Sequence, residues 1–364
     1  REKFISSGLA HAGIKLLLGN AQINIAALIF FHVMVNMMRE KGDLYMFMPM
    51  SVLFHAGAHG VFGSGRAGDI DFALKSIIDL SNTDAFQSVS TRYGIIHVQR
   101  DSIVEFPVQV KQFDKILESW IHREAAPLYG IEGPLHMYDV KTGKCSFKKI
   151  DVSLFSKPRQ GINTCGANSV FFFHKMQILD KDKCKVWSKL GEFELPAAFV
   201  FPLLSKENFK QSNKDVVKWV LLPYKKDGKP LNPEEMQKIP LLHAYFQQQK
   251  HILEARRGKL IGSFIQRGMY WALLGVGKYN FAKHKIVWEA CGKNVFKPEI
   301  FNGKWQAGQS LQVFMPFDDK EDCNRVCKLL KQPALNQVLQ SMQLGGTMSW
   351  GQPGVISHFL DFCD

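Results

Sequence analysis

Apolar residues recur at Ile25, Leu28, Ile29, Phe31 or His32, Val35 and Met38, close to the 3.6-residue helical period. The stretch from Asn24 to Met38 therefore reads as a helix, and the polar run from Arg39 to Asp43 supplies its end. Leu44 to Met48 follows as a short buried strand stopped by Pro49. Ser76 to Leu80, Tyr93 to Val98 and Glu105 to Val110 are three further strand candidates. These runs are continuous rather than alternating, which predicts an α/β sheet covered on both faces.

Past Gln112 the texture changes. Phe113 to Arg123 reads as a helix, and loops rich in Gly, Lys and aromatic residues follow. Ser153 to Phe173 is polar and broken by glycine until a strand at Val170 to Phe173. Pro223 to Pro240 reads as a turn-laden connector, and Leu241 to Arg257 as a helix with Leu242, Tyr245, Phe246, Ile252 and Leu253 on its apolar positions. Further helices are expected at Lys320 to Leu330 and Ala334 to Gln340, and no internal repeat is present. The expected division is 1–112, 113–240 and 241–364.

Charge changes this picture. The chain has 364 residues and a net charge of +13. Residues 1–112 hold 10 Lys+Arg against 9 Asp+Glu, a net of +1, so residues 113–364 carry the remaining +12. A near-neutral front and a strongly basic rear suit a polyanion-binding module joined to something else. No apolar run approaches the roughly 20 residues of a membrane span, and no secretory signal precedes Ile23. Location in the cytoplasm of a bacterium or archaeon is expected, with no membrane partner. The opening Arg1-Glu2-Lys3, without a methionine, suggests a processed fragment or a missing beginning. Seven cysteines (145, 165, 184, 291, 323, 327 and 363) include no CxxC pair, so reduced buried thiols are expected and no metal site.

Two stretches carry a family resemblance. The first is Asn24-Ile-Ala-Ala-Leu-Ile-Phe-Phe-His32, then Lys41-Gly-Asp-Leu-Tyr-Met-Phe-Met-Pro-Met-Ser51, then Ile77-Ile-Asp-Leu80, Phe86-Gln-Ser-Val-Ser-Thr91 and Ile95-Ile-His-Val98. It is similar to the half of an N6-adenine DNA methyltransferase fold that follows the catalytic loop. The second is Tyr245, Leu253-Glu-Ala-Arg-Arg257 and Leu274-Gly-Val-Gly-Lys-Tyr-Asn-Phe-Ala-Lys-His-Lys-Ile-Val-Trp288. It resembles the C-terminal target-recognition region of restriction–modification methyltransferases.

The resemblance implies an α/β fold. The front would be the C-terminal part of a seven-stranded, mostly parallel, Rossmann-like methyltransferase sheet with one reversed strand. The rest would be a mixed α/β target-recognition domain facing it across a cleft for double-stranded DNA. It further implies S-adenosylmethionine as cofactor, held mostly by residues outside this chain, and extrusion of the target adenine from the duplex. Phe86 stands where the family packs an aromatic side chain against the flipped base, although an ordinary core role fits it equally. Ile29 and Phe30 stand where a hydrophobic or aromatic side chain lies against the cofactor.

Two departures qualify the match. The chain has no Pro-Pro dipeptide, so the family's Asn/Asp-Pro-Pro-aromatic catalytic loop is absent, and Asn232-Pro233 reads as a turn. Gly63-Ser-Gly65-Arg-Ala-Gly68 spells GxGxxG without a proper leading strand or following helix, so it reads as a flexible surface loop. The chain alone is then expected to be inactive, completed by an N-terminal methyltransferase segment or subunit and accompanied in some systems by a nuclease. The alternative is a non-catalytic DNA-specificity subunit on a partial methyltransferase scaffold.

DNA-contact candidates follow from side-chain chemistry. Asn and Gln read adenine, Arg reads guanine, and Lys meets phosphate. Arg159, Gln160, Asn163, Thr164 and Asn168 share one glycine-bearing loop. Lys278, Lys283 and Lys285 flank the Gly-Val-Gly-Lys-Tyr turn, and Arg256 and Arg257 end a helix. A solvated surface role competes at each position. Tyr279 and Phe281 read as core residues that hold the turn, and Lys181 to Lys189 as a solvated hairpin.

Overall fold

The computed structural model describes residues 25–54, 61–67, 69–83, 92–128, 135–139, 148–205, 208, 215–290, 296–309, 312–342 and 351–362. Among the described residues the front begins with the helix Ile25–Asn36, as the periodicity predicts. Its sheet comprises β1 (Asp43–Pro49), β2 (Arg66–Ala67), β3 (Ile70–Asp79), β4 (Tyr93–Arg100), β5 (Val108–Asp114), β6 (Ser119–Pro127) and β7 (Leu135–Asp139). The strand order is β1-β4-β3-β5-β6-β7, with β2 paired to β3 off this path. β4 lies between β1 and β3 and runs opposite to both. Only β3 and β5 pair in parallel, and β5-β6-β7 is an antiparallel meander.

The sheet is thus mostly antiparallel, not mostly parallel as expected. The physical reason is connection length: a parallel pair needs a crossover of about a dozen residues or more, whereas the turn from β5 to β6 spans only Lys115 to Glu118.

The same turn corrects the helix expected at Phe113 to Arg123. Apolar residues at 113, 116, 117, 120 and 121 match a helical period. However, the Asp114 side chain accepts from the backbone nitrogens of Ile116 (2.8 Å) and Leu117 (3.1 Å). Glu118 takes a left-handed φ of 48°, which closes a hairpin instead. Ile116 is left 93% exposed at its tip.

The sheet is buried on one side rather than two. Phe30, Phe72, Ile77, Ile96, Val98 and Val110 join its core. Tyr45 and Phe47 on β1 are exposed, and Tyr45 stacks on His97 at 4.2 Å. The expected boundary at 112 falls inside β5. Gly63 and Gly65 are buried rather than part of a flexible surface loop. Gly65, at φ 65°, turns the chain where a Cβ would lie 2.6 Å from the Phe72 carbonyl oxygen.

Two larger cores follow. One gathers Ile162, Phe171, Phe173, Val186, Val220, Met236, Phe246, Leu253 and Trp271. It spans residue 240, so that expected boundary cuts through a single core. Val170 and Phe171 belong to the short helix Asn168–Phe171, and only Phe172–Phe173 is strand. The expected helix at Leu241 to Arg257 is two helices, Pro240–Gln248 and Lys250–Glu254. Asn232 caps the helix Pro233–Gln237 through a reciprocal pair with Glu235. This connector is therefore more ordered than its turn residues suggested.

The rear core packs the strand His284–Glu289, between Glu299–Asn302 and Gln312–Phe317, against the helices Lys320–Leu330 and Pro333–Met342. Both of these helices are where the sequence predicts them. The solvated hairpin is also present, with Lys175–Ile178 pairing Lys183–Ser188. Cys165, Cys184, Cys323 and Cys327 are free thiols. No group of three or more metal-ligating side chains occurs among the described residues. Among them, no helix is long and apolar enough to cross a membrane.

Candidate nucleic-acid interface

The loop from Arg159 to Asn168 is laced between two other segments. Arg159 and Gln160 pair with Phe314 and Val313. Beyond them the Ile162 nitrogen donates to the Ala307 carbonyl at 2.7 Å, and Asn163 and Leu274 exchange backbone bonds of 2.9 and 3.0 Å. Gly275, at φ 70°, leaves its carbonyl neighbour Gly161 room that a Cβ would close to 2.7 Å. This contact brings the two candidate clusters, 159–168 and 278–285, onto one surface. The Arg159 guanidinium lies over the Tyr279 ring at 5.2 Å, a cation–π distance.

A third loop joins them. Lys225 to Gly228 forms a turn closed by Gly228 donating to the Lys225 carbonyl at 2.9 Å. Gly228, at φ 84°, rests directly on the backbone of Gly277 and Lys278, where a Cβ would collide. Lys226 and Lys278 are thereby held beside one cleft of about 400 Å³, with Tyr279, Phe281 and Phe317 in its lining.

Replacement of Gly228 by Ala is expected to cost about 1–2 kcal/mol from the left-handed backbone alone, and more from the collision. Gly166 is the control: it has φ 94° and nothing near its Cβ direction. Urea unfolding should show a larger loss for Gly228→Ala than for Gly166→Ala. Equal losses would mean that the loop contact is not tight.

The individual candidates separate by burial. Arg159, Asn168, Arg257, Lys278 and Lys283 are exposed, and Gln160 and Asn163 are half-buried. Asn163 accepts from the Cys165 nitrogen at 2.7 Å, which shapes the loop tip. Thr164 is buried and donates its hydroxyl to Asn168 Oδ1 at 2.6 Å.

Two expected phosphate contacts turn inward. Arg256 is buried and donates to the carbonyls of Leu253 (2.9 Å), Ala272 (2.8 Å), Thr164 (3.3 Å) and Tyr270. It ties helix to loop. Lys285 is 1% exposed, and its Nζ donates to the carbonyls of Asn280 (2.5 Å), Gly303 (2.9 Å) and Trp305 (2.7 Å). Burial pulls its pKa down to about 7. Both residues build the surface from beneath instead of presenting charge on it.

Tyr279 and Phe281 hold the turn as expected. Tyr279 packs on Phe314 (5.8 Å) and Phe281 on Phe201 (5.9 Å). Each still shows part of its surface to the cleft. Lys226, Phe317 and Asp318 were not singled out by the sequence. The Lys-Lys-Asp-Gly turn was the available signal, because its glycine marks a close approach.

The front places its candidates differently. Phe86 lies outside the described residues. Ile29 is 41% exposed, but Phe30 is fully buried, with ring contacts of 5.3 Å to Phe31, 5.0 Å to Phe62 and 5.4 Å to Phe72. Phe30 is a core residue among the described residues. The glycine run follows the order helix Val61–Ser64 then strand Arg66–Ala67 rather than strand then helix, so it does not have the form of a cofactor loop.

A comparison with solved structures places this architecture. The chain is similar to the type IIL restriction–modification enzyme MmeI, solved in complex with DNA, with a TM-score of 0.52 and 10% identity. The match covers 94% of this chain and 42% of MmeI, so the chain spans under half that enzyme's length. The fold is a mixed α/β architecture that resembles part of that enzyme. The type IIG restriction endonuclease BpuSI also matches, at TM-score 0.31 and 14% identity, over 97% of this chain and 44% of that one. No family model matches the chain, and no curated protein does.

Proposed function

We propose that this chain is the DNA-recognition and base-positioning part of a restriction–modification enzyme of the S-adenosylmethionine-dependent, adenine-N6 type. The observation that carries the reading is the cross-linking of the 159–168 loop, the Lys225–Gly228 turn and the Gly277–Phe281 turn into one basic surface. Arg159, Lys226, Lys278 and Lys283 are exposed on those loops and the residues that follow them. Exposed arginine and lysine suit base-edge and phosphate contacts respectively. The charge asymmetry of the sequence and the MmeI-like fold support it. The methyl donor and the catalytic loop belong, in this reading, to polypeptide outside the described residues.

Burial of Phe30 favours a second reading, a DNA-specificity subunit without a cofactor contact of its own. Photo-cross-linking of S-adenosylmethionine in a mixture with the partner that supplies the catalytic loop distinguishes the two: label on this chain supports the first reading, and label on the partner alone supports the second.

Selection from a random duplex pool is expected to return a preferred site of several base pairs. Arg159→Ala should weaken binding to that site by about 1–3 kcal/mol and relax preference at one position, if Arg159 reads guanine. Binding with no sequence preference at all would refute the recognition role.

A further inference from the structure

We propose that the cleft between the Lys225–Gly228 and Gly277–Phe281 turns is a nucleotide site. It takes a phosphate between Lys226 and Lys278 and a base against Tyr279 and Phe281. The inference rests on the DNA-recognition reading and narrows it to one nucleotide of the strand.

Three observations converge. The first is size: about 400 Å³ falls within the roughly 300–1,000 Å³ of small-ligand sites. The second is charge. Lys225 is engaged with Glu235 at 2.9 Å, whereas the next residue, Lys226, and Lys278 have no ion-pair partner among the described residues. Two ammonium groups in one lining call for an anion. The third is the rest of that lining. Tyr279 and Phe281 are half-buried and offer apolar ring surface, which bases use for stacking, while buried Phe317 backs the cleft. Asp318 is an acceptor that repels phosphate and suits an exocyclic amine. A ligand satisfying all three brings a phosphate, a flat ring and an N–H donor together. An amino-bearing nucleotide does so.

The site is built by the backbone, not assembled by chance from mobile lysines. Gly228 seats one lysine turn on the other. Asn280 Oδ1 accepts from the Gly277 nitrogen at 2.9 Å, and its buried amide donates to Gln306 at 3.2 Å. Lys285 fixes the Asn280 carbonyl from below.

The test uses the full chain and 2-aminopurine, a fluorescent amino-bearing base. It is supplied either as the free deoxynucleoside monophosphate or within a duplex carrying the selected site, and overall duplex binding is read separately by anisotropy. Lys226→Ala and Lys278→Ala alter exposed residues, and Lys183→Ala, an exposed lysine of the hairpin, is the control. Melting temperatures confirm folding. The expected result is a saturable fluorescence change whose midpoint weakens about tenfold with either cleft variant, while the salt slope falls by about one per lysine. The control should stay unchanged.

If the duplex binds but fluorescence is indifferent to both cleft variants, the nucleotide site is overturned and the recognition reading stands. If the free nucleotide binds in a lysine-dependent way and no duplex does, the site stands for free nucleotides and the recognition reading falls. Binding of neither overturns both.

Discussion

Asp79→Ala is expected to lower stability by about 3–5 kcal/mol, measured by urea unfolding, because it strands a buried guanidinium. Asp79 ends β3 with no exposed surface. Its carboxylate accepts from Arg92 at 2.7 Å, from the Gln112 amide at 2.8 Å, and from the Ser81 nitrogen at 3.0 Å and hydroxyl. Arg92 is itself buried, and burial lowers its pKa against the pull of Asp79. Removing the carboxylate leaves both charge and amide without their acceptor. The double variant Asp79→Leu/Arg92→Met should recover much of the loss, since an apolar pair carries no desolvation penalty. A double variant as unstable as Asp79→Ala would show that the ion pair is not the cause. The network also fixes both approaches to residues 84–91, among which Phe86 lies.

Lys285→Met should cost a similar amount, about 3–5 kcal/mol, because three buried carbonyls lose the donor they share. The effect should extend to the surface above. Asn280, Gly303 and Trp305 all bind this one ammonium, and Asn280 shapes the turn that carries Lys278.

A pH signature accompanies it. The folded pKa is about 7 against an ordinary 10.5. Between those values the unfolded chain holds a proton that the folded chain has released. Stability therefore rises with pH from about 7 upward. Above pH 9 the sign reverses, because burial pushes Cys184 to about 11 and Cys323 to about 12 from an ordinary 9.0. There the unfolded chain loses protons that the folded chain keeps. Wild-type stability should peak near pH 9, and Lys285→Met should lack the rising limb. A rising limb in the variant equal to that of the wild type would assign it to another group.

The two buried cations show where local reading stops. Lys285 and Arg256 sit in a basic segment, and nothing nearby in sequence distinguishes them from Lys278 or Arg257. Apart from Leu253, three residues from Arg256, their acceptors lie 5 to 92 residues away, so only the closed chain decides that they face inward. Asp79 is similar, with Arg92 and Gln112 at separations of 13 and 33. Phe30 is another case: a helical period marks an apolar stripe but not which members meet Phe62 and Phe72.

The sequence by itself determined the elements whose signal is local. The helices Ile25–Asn36, Lys320–Leu330 and Pro333–Met342 and the strands β1, β3 and β4 follow from apolar spacing within a dozen residues or fewer. The rear charge excess follows from counting. Tertiary structure decided strand order, the choice of hairpin over helix at 113–123, and the meeting of Lys226 with Lys278. Spacing specifies which residues share a face of one element. It does not specify which glycine backbone another turn will rest upon, because that contact is between segments about 50 residues apart and forms only when their cores are packed.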